Sequence, residues 1–294
     1  MYKSVTILTS AGPGWVTGGD GDKMGVISTP PKGVAQRRRS MRILSYNILD
    51  GGVGRADPLA EVIIAQRGDV VVLVEADDTA VIERIGRRLG MQFVRGQGKR
   101  HGAAIFCRWP IVESIDFGPI RPGLSGCLLA ATIHPPQGEE IEIAAVHLHP
   151  HAREEDETIR EAEIQILLDA FAAQRESGRA HLLAGDFNAN SPDQSIDPAK
   201  CKPRTRKDWQ ANRGNLPRRA VGDLLAAGYV DTLAAVRGEA ANTTGSFTTQ
   251  FPGQRVDYIF AHAIPREKLI DAWIEQDRLA QFASDHFPVG LEIA

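Results

Sequence analysis

Asp186 and Asn188 close the run LLAGDFNA at residues 182–189, where an apolar segment ends in two oxygen-bearing side chains separated by one aromatic. In an extended chain alternate side chains share a face, so Asp186 and Asn188 point one way and Phe187 the other. The arrangement recurs along the chain. Asn47 closes ILSYN, Glu75 closes VVVLVE, His147 interrupts AAVHLH, Asp257 lies in RVDYIF, and Asp285 with His286 precedes the last apolar segment in SDHFPVGLEI. Carboxylates at the ends of buried strands are costly unless they are paired or bind a metal, so several such ends point to one shared site. Glu75, Asp186, Asn188, Asn47 and Asp285 offer oxygen donors and no thiolate, which favours a hard cation, Mg²⁺ or Mn²⁺, over structural zinc. Phosphoester hydrolysis needs such an ion, a carboxylate to prepare water, donors for the phosphoryl oxygens, and an imidazole, and this chain supplies each type.

Strands must carry these residues to a common place. MRILSYNIL from Met41, DVVVLVE (69–75), GAAIFC (102–107), EIAAVHLH (142–149), AHLLAGD (180–186) and RVDYIFAH (255–262) read as buried strands. Helical spacing appears over 57–67, 78–89, 153–175 and 217–227. In the third of these, Ile159, Ala162, Ile166, Leu167, Ala170 and Phe171 share a stripe opposite Glu and Arg. Strands interleaved with helices indicate an α/β domain whose helices cover its sheets.

The 294 residues, 43% of them hydrophobic, suffice for one large domain, expected over 41–294 and preceded by a flexible Gly/Pro/Ser/Thr-rich leader over 1–40. That leader holds six Lys/Arg against two Asp, so of the net charge of −3 it carries +4 and the remainder −7. The balance argues neither for nor against a polyanionic partner. Three cysteines without CxxC spacing suit reduced thiols, no apolar run is long enough to span a bilayer, and the N-terminus is a poor secretory signal. A cytoplasmic protein is therefore expected. The stretch 198–219 has eight Lys/Arg and one Asp and reads as a long basic loop after Asp186 and Asn188, able to hold phosphates, with Trp209 as a stacking surface. VHLHPH offers a separate zinc cluster of His147, His149 and His151, but lacks a further ligand at fixed spacing.

The ordered segments LSYNIL, VVVLVEAD, HGAAIFCRWPI, AAVHLHP, LLAGDFNA, RVDYIFAH and SDHFPV resemble the endonuclease/exonuclease/phosphatase superfamily, from about Met41 to Val289. The resemblance implies a four-layered α/β/β/α sandwich of two mixed sheets flanked by helices, and a divalent-metal phosphoesterase acting on a phosphoester, nucleic acid among the candidates, as a monomer. It implies Glu75 as principal metal ligand with Asn47 and Asp285 beside it, and Asp186 as the residue that activates water. Asn188 would hold that water and a phosphate oxygen, His286 oriented by Asp257 would face the scissile phosphate, and His147 would be a second phosphate-contacting imidazole. Taken singly, Asp257 could instead pair with Arg255, and Asn47 or Asp285 could serve a turn. One departure stands out: where the deoxyribonuclease branch places an acid to partner the first histidine, this chain has GQGKRHG, with Lys99, Arg100 and His101 and no carboxylate. A reading of another class, a catalytically silent nucleic-acid-binding module, would use the basic stretch 198–219 alone.

Overall fold

Alternation along the strands sorts the apolar residues into three separate cores, and the order of the layers follows from it. The computed structural model describes residues 40–136 and 138–294. The expected leader lies outside them apart from Ser40. One sheet begins with β1 (Met41–Asn47), β2 (Val70–Val74), β3 (Gln92–Gly96) and β4 (Ala103–Cys107). The second follows with β5 (Ile111–Asp116), β6 (Cys127–Ile133), β7 (Ile141–His147), β8 (His181–Asp186), β9 (Val230–Asp231) and β10 (Asp257–His262), and then β11 (Leu269–Ile274) and β12 (Val289–Ile293) return to the first. The orders are β11-β12-β1-β2-β4-β3 and β5-β6-β7-β8-β10-β9. Each sheet is mixed, with β1 parallel to β2 in one and β7 parallel to β8 in the other, and every other pairing antiparallel.

Ile43 of β1, Val70, Val72 and Val74 of β2, Ile143 and Ala145 of β7, Leu182 and Ala184 of β8, and Ile259 and Ala261 of β10 meet between the sheets. Their sequence neighbours turn outward. Leu44, Tyr46, Val71 and Leu73 pack under α1 (Ala56–Gln66) and α2 (Thr79–Leu89). Leu183, Phe187, Tyr258 and Phe260 pack under α3 (Glu154–Ala170), which is followed by α4 (Ala172–Glu176). Burial of both faces explains why these strands read as continuous apolar runs. Four layers result, as the resemblance implied. Local signals place the helix ends: the Asp78 side chain accepts from the Val81 N–H at 2.9 Å to start α2, and Gly90 in the left-handed region (φ 63°) ends it.

Two expectations need correction. Over 153–175 the buried face of α3 is Glu157, Arg160, Glu163, Ile164, Leu167 and Leu168, whereas Ile159 is 40% exposed. Polar side chains that bond the neighbouring loops occupy the first half of that face, so apolar periodicity alone misplaces it. The stretch 198–219 is not a structureless loop either. It contains α5 (Pro203–Ala211), opened by a proline at its first position, and runs into α6 (Arg219–Ala226). α5 is seated by polar contacts that leave no hydrophobic pattern. Thr205 Oγ1 donates to Gln254 Oε1 at 2.8 Å, Arg153 Nε donates to the buried Asp208 at 3.2 Å, and Asn212 Nδ2 donates to the Ala152 carbonyl at 2.7 Å. Among the described residues, the short α7 (Thr232–Arg237) and α8 (Arg278–Ala283) complete the α-helices. Among the described residues no helix is long and apolar enough to cross a membrane.

Candidate active site

Strand direction brings the chemistry-bearing residues to one edge of the sandwich. β1, β2, β7 and β8 end there, and β4, β10 and β12 begin there, since Val74 pairs with Ala103, Asp186 with Asp257, and Ser45 with Val289. On the inward face of β1, β7, β8 and β10 the apolar series terminates in Asn47, His147, Asp186 and Asp257. Glu75, just past β2, would point outward by alternation. Its backbone instead takes the left-handed region (φ 56°), a costly conformation for glutamate that turns its carboxylate toward Asn47. Asn188 adopts the same region (φ 49°), and its N–H donates to Asp186 Oδ1 at 2.8 Å. Phe187 meanwhile inserts into the outer core, as alternation predicts.

Asn47 ties the sheets together at this edge. Its Nδ2 donates to Glu75 Oε1 at 2.9 Å and to Asp186 Oδ2 at 3.1 Å, and its Oδ1 accepts from the Leu49 N–H at 3.0 Å. Glu75 Oε2 accepts from the Asp50 N–H at 2.8 Å. Burial works against the Glu75 carboxylate, but the Asp50 N–H, the nearby His147 and the Asn47 amide outweigh it and hold Glu75 below the usual carboxylate value. Asp186 is 1% exposed, and burial, followed by the negative charge of Asp257, pushes it up to about 7.

Two imidazoles face Asp186 in opposite electrostatic states. His286 Nδ1 bonds Asp257 Oδ2 at 2.8 Å, and its Nε2 lies 3.7 Å from Asp186 Oδ2. Burial opposes charge on His286, but Asp257 and Asp186 overcome it and raise the imidazole to about 10. His147 Nε2 lies 3.8 Å from Asp186 Oδ2 and 4.0 Å from Glu75 Oε1. Burial drives His147 down to about 4, against the attraction of Glu75, so it is neutral where His286 is charged. Asp285 is the neighbour of His286, with Oδ1 3.9 Å from its Nε2. Asp257 does not pair with Arg255, whose guanidinium bonds Asp231 at 2.6 Å.

All eight residues singled out in the sequence therefore meet: Asn47, Glu75, His147, Asp186, Asn188, Asp257, Asp285 and His286. Six of them, Glu75, His147, Asp186, Asn188, Asp285 and His286, line a cleft of about 220 Å³, to whose lining Arg100, His101, Lys202, Arg204 and Phe247 also contribute, while Asn47 and Asp257 bond the lining carboxylates and imidazole from behind. Phe247 packs against His286 with ring centroids 4.4 Å apart and the planes tilted by 31°, and Lys202 Nζ stands 3.9 Å from the centroid of the Phe247 ring. Phe247 reaches the site through an isolated bridge to His286 rather than a strand, and Lys202 comes from the basic stretch 198–219 expected to hold phosphates. Trp209, expected as the stacking surface, packs beside Gly214 and is not among the cleft-lining residues. The histidine cluster does not assemble either. β7 stops at His147, and His149 turns away to Asp156, Nε2 to Oδ1 3.0 Å. Where the sequence showed no acid for an imidazole, Asp77 supplies one from the end of β2, bonding His101 Nδ1 at 2.8 Å.

Comparison with known proteins agrees with this architecture. The sequence model of the Endonuclease/Exonuclease/phosphatase family matches residues 44–286. Among solved structures, an AP endonuclease from Archaeoglobus fulgidus aligns with TM-score 0.64 at 20% identity, covering 86% of this chain and 99% of that one. A 3′ phosphatase from Neisseria bound to product DNA hairpin gives TM-score 0.65 at 20% identity, again with 86% and 99% covered. An endonuclease/exonuclease/phosphatase from Beutenbergia cavernae gives 0.63 at 21%, with 87% and 72% covered. Comparison with curated protein sequences gives no match. At these identities the structures share the fold, and the family match extends over most of the chain. This chain belongs to the endonuclease/exonuclease/phosphatase family of phosphoester hydrolases.

Proposed function

We propose that this chain is a Mg²⁺- or Mn²⁺-dependent hydrolase of phosphoester bonds that works by in-line attack of a water prepared by Asp186. One observation carries the reading: a single buried carboxylate, Asp186, accepts from Asn47 and lies within 4 Å of both His286 and His147. The residues at the cleft fit a hard ion. Among the described residues Asp285 Oδ1 is a buried acceptor with no hydrogen-bond partner, and Glu75, held below the usual carboxylate value, lines the same cleft, so an all-oxygen pair is available. Glu75 and Asp285 would hold the ion, and Asn47 would orient Glu75 through its amide. When bound, such an ion withdraws charge from the phosphoryl oxygens.

The remaining work falls to the chain itself. With its proton affinity raised to about 7, Asp186 accepts a proton from water near neutral pH. Asn188, anchored by its Nδ2 to the Leu148 carbonyl at 3.1 Å, steadies that water and a phosphate oxygen. His286, kept cationic by Asp257, meets the charge that develops on phosphorus-bound oxygen, and neutral His147 adds a hydrogen bond without adding charge. Nucleic acid as the phosphoester draws support from the Neisseria relative with its product DNA hairpin and from Arg100, Lys202 and Arg204 along the cleft. All eight residues come from one chain within 41–294, so a monomer suffices. Free thiols at Cys107, Cys127 and Cys201 support a cytoplasmic setting.

The test uses chelator-stripped protein offered plasmid, abasic duplex, a chromogenic bis-ester and inositol phosphates, with and without added Mg²⁺ or Mn²⁺. Turnover should return with the metal and disappear in Glu75→Ala and Asp186→Asn. No turnover on any substrate, with both substitutions silent, would overturn the reading. Retention of DNA in chelator with a steep salt dependence would then mark the silent binding module.

A further inference from the structure

The cleft contains a second carboxylate-held imidazole, and it is not His147. His101 precedes β4 at the same edge as the catalytic strand ends and lines the cleft. Its Nδ1 bonds Asp77 Oδ2 at 2.8 Å, while Asp77 Oδ1 accepts from the Gly102 N–H at 2.7 Å and Arg95 donates to the Asp77 carbonyl at 3.1 Å. Both oxygens of the Asp77 carboxylate are thus committed, which fixes its plane and with it the direction of the ring. The pairing matches His286 with Asp257 in atom and in distance. His147, by contrast, is buried with no partner for its Nδ1 among the described residues, so none of their acids bonds that nitrogen to orient it. The two rings lie side by side, centroids 5.6 Å apart, and a ligating atom of His101 lies within 4.8 Å of one on Glu75 and one on Asp50.

We propose that His101, oriented by Asp77, is a further substrate-contacting imidazole on the Glu75 side of the cleft, donating from Nε2 to an oxygen of the bound phosphoryl group. The inference rests on the phosphoester reading of the same site. A free Nε2 follows from the engagement of Nδ1 with Asp77, and a fixed ring beside His147 gives that side of the cleft the directional donor that His147 alone does not guarantee. The acid that the deoxyribonuclease pattern places before β4 is therefore present in space, supplied from the β2 end of the sheet, but it holds a different ring.

Inorganic phosphate is the probe. Titrated into the full chain and followed through the ring nitrogens of its histidines by long-range ¹H–¹⁵N spectra, it should shift His101 and His286 along one binding curve. His101→Ala should weaken phosphate binding and lower kcat by about tenfold to hundredfold, the range for loss of one charge-assisted hydrogen bond. Asp77→Asn keeps the ring and removes its anchor, so it should give a smaller loss of the same kind. Phosphate that moves His286 and leaves His101 still, or a His101→Ala protein with wild-type phosphate affinity, would overturn this inference alone. Phosphate that moves neither ring in the presence of Mg²⁺ would also overturn this inference, and the phosphoester reading falls with it only where the substrate panel shows no turnover.

Discussion

Asn47 stands on one sheet and Asp186 on the other, and the Asn47 Nδ2 donates to the Asp186 carboxylate at 3.1 Å while holding Glu75 at 2.9 Å. One amide therefore sets the spacing of the two acids that the proposed chemistry keeps separate. Removing it in Asn47→Ala leaves the buried Asp186 and the half-buried Glu75 without a shared donor. Activity and Mg²⁺ affinity should each fall by about tenfold to hundredfold, the usual cost of losing a group that orients a metal ligand. Calorimetric titration with Mg²⁺ beside steady-state kinetics checks this, and unchanged affinity with unchanged kcat would refute it.

The pairing of His286 with Asp257 should show in stability measured in chelator. Asp257 and Asp186 raise His286 from 6.5 to about 10 despite burial, so folding gains a proton affinity that the unfolded chain lacks. The gain is complete below pH 6.5 and is lost as pH climbs through about 10. Asp257→Asn should therefore cost more stability at pH 6 than at pH 10, the reference being wild-type protein in the same buffers. A difference in thermal midpoint that stays constant with pH would count against the pair.

His181 should give the opposite slope at the far end of the sheet. It is fully buried, with Nδ1 bonded to the Arg179 carbonyl at 2.9 Å and Nε2 to the Tyr229 hydroxyl at 2.8 Å. Burial lowers its proton affinity to about 4, so the unfolded chain takes up a proton that the folded chain refuses. The contribution of this group is present above pH 6.5 and declines as pH falls toward 4, by about 3 kcal/mol. Denaturant unfolding of His181→Gln should show a shallower loss than wild type over that interval.

Arg160 and Glu157 form a buried ion pair, Nη2 to Oε2 2.8 Å, and the same guanidinium donates to the carbonyls of His149 and His151 at 2.9 and 2.6 Å. His151 lines the cleft, so the pair braces one wall of the site. Glu157→Ala strands the buried cation and should cost about 3–5 kcal/mol, whereas replacing both partners with apolar residues should cost much less. Urea titrations of the single and double variants separate these outcomes.

Much of the fold and of the candidate site is legible in the amino-acid order. LLAGDFNA, VVVLVE and RVDYIF each pair an apolar run with a polar residue at its end, and period-two alternation sets which strand residue faces inward, as for Asp186 and Asp257, while Glu75 reaches the site only through its left-handed backbone. The order of seven such segments then points to the family and to all eight residues that meet at the cleft. Less legible are β3, β5, β6 and β11, which carry no chemistry, and α5, which is seated by Thr205 and Asp208 through polar contacts that leave no apolar period.

Local chain chemistry by itself determined the strand ends, the facing of Asn47, His147, Asp186 and Asp257, and the supply of hard oxygen donors. Only the tertiary structure decided which acid holds which ring. Asp257 chose His286 over the nearby Arg255, and Asp77 chose His101 while His147 went without. Such choices depend on distances of about 3 Å between residues on different strands, set by sheet order and register, and a hydrogen bond discriminates at that scale whereas sequence spacing does not.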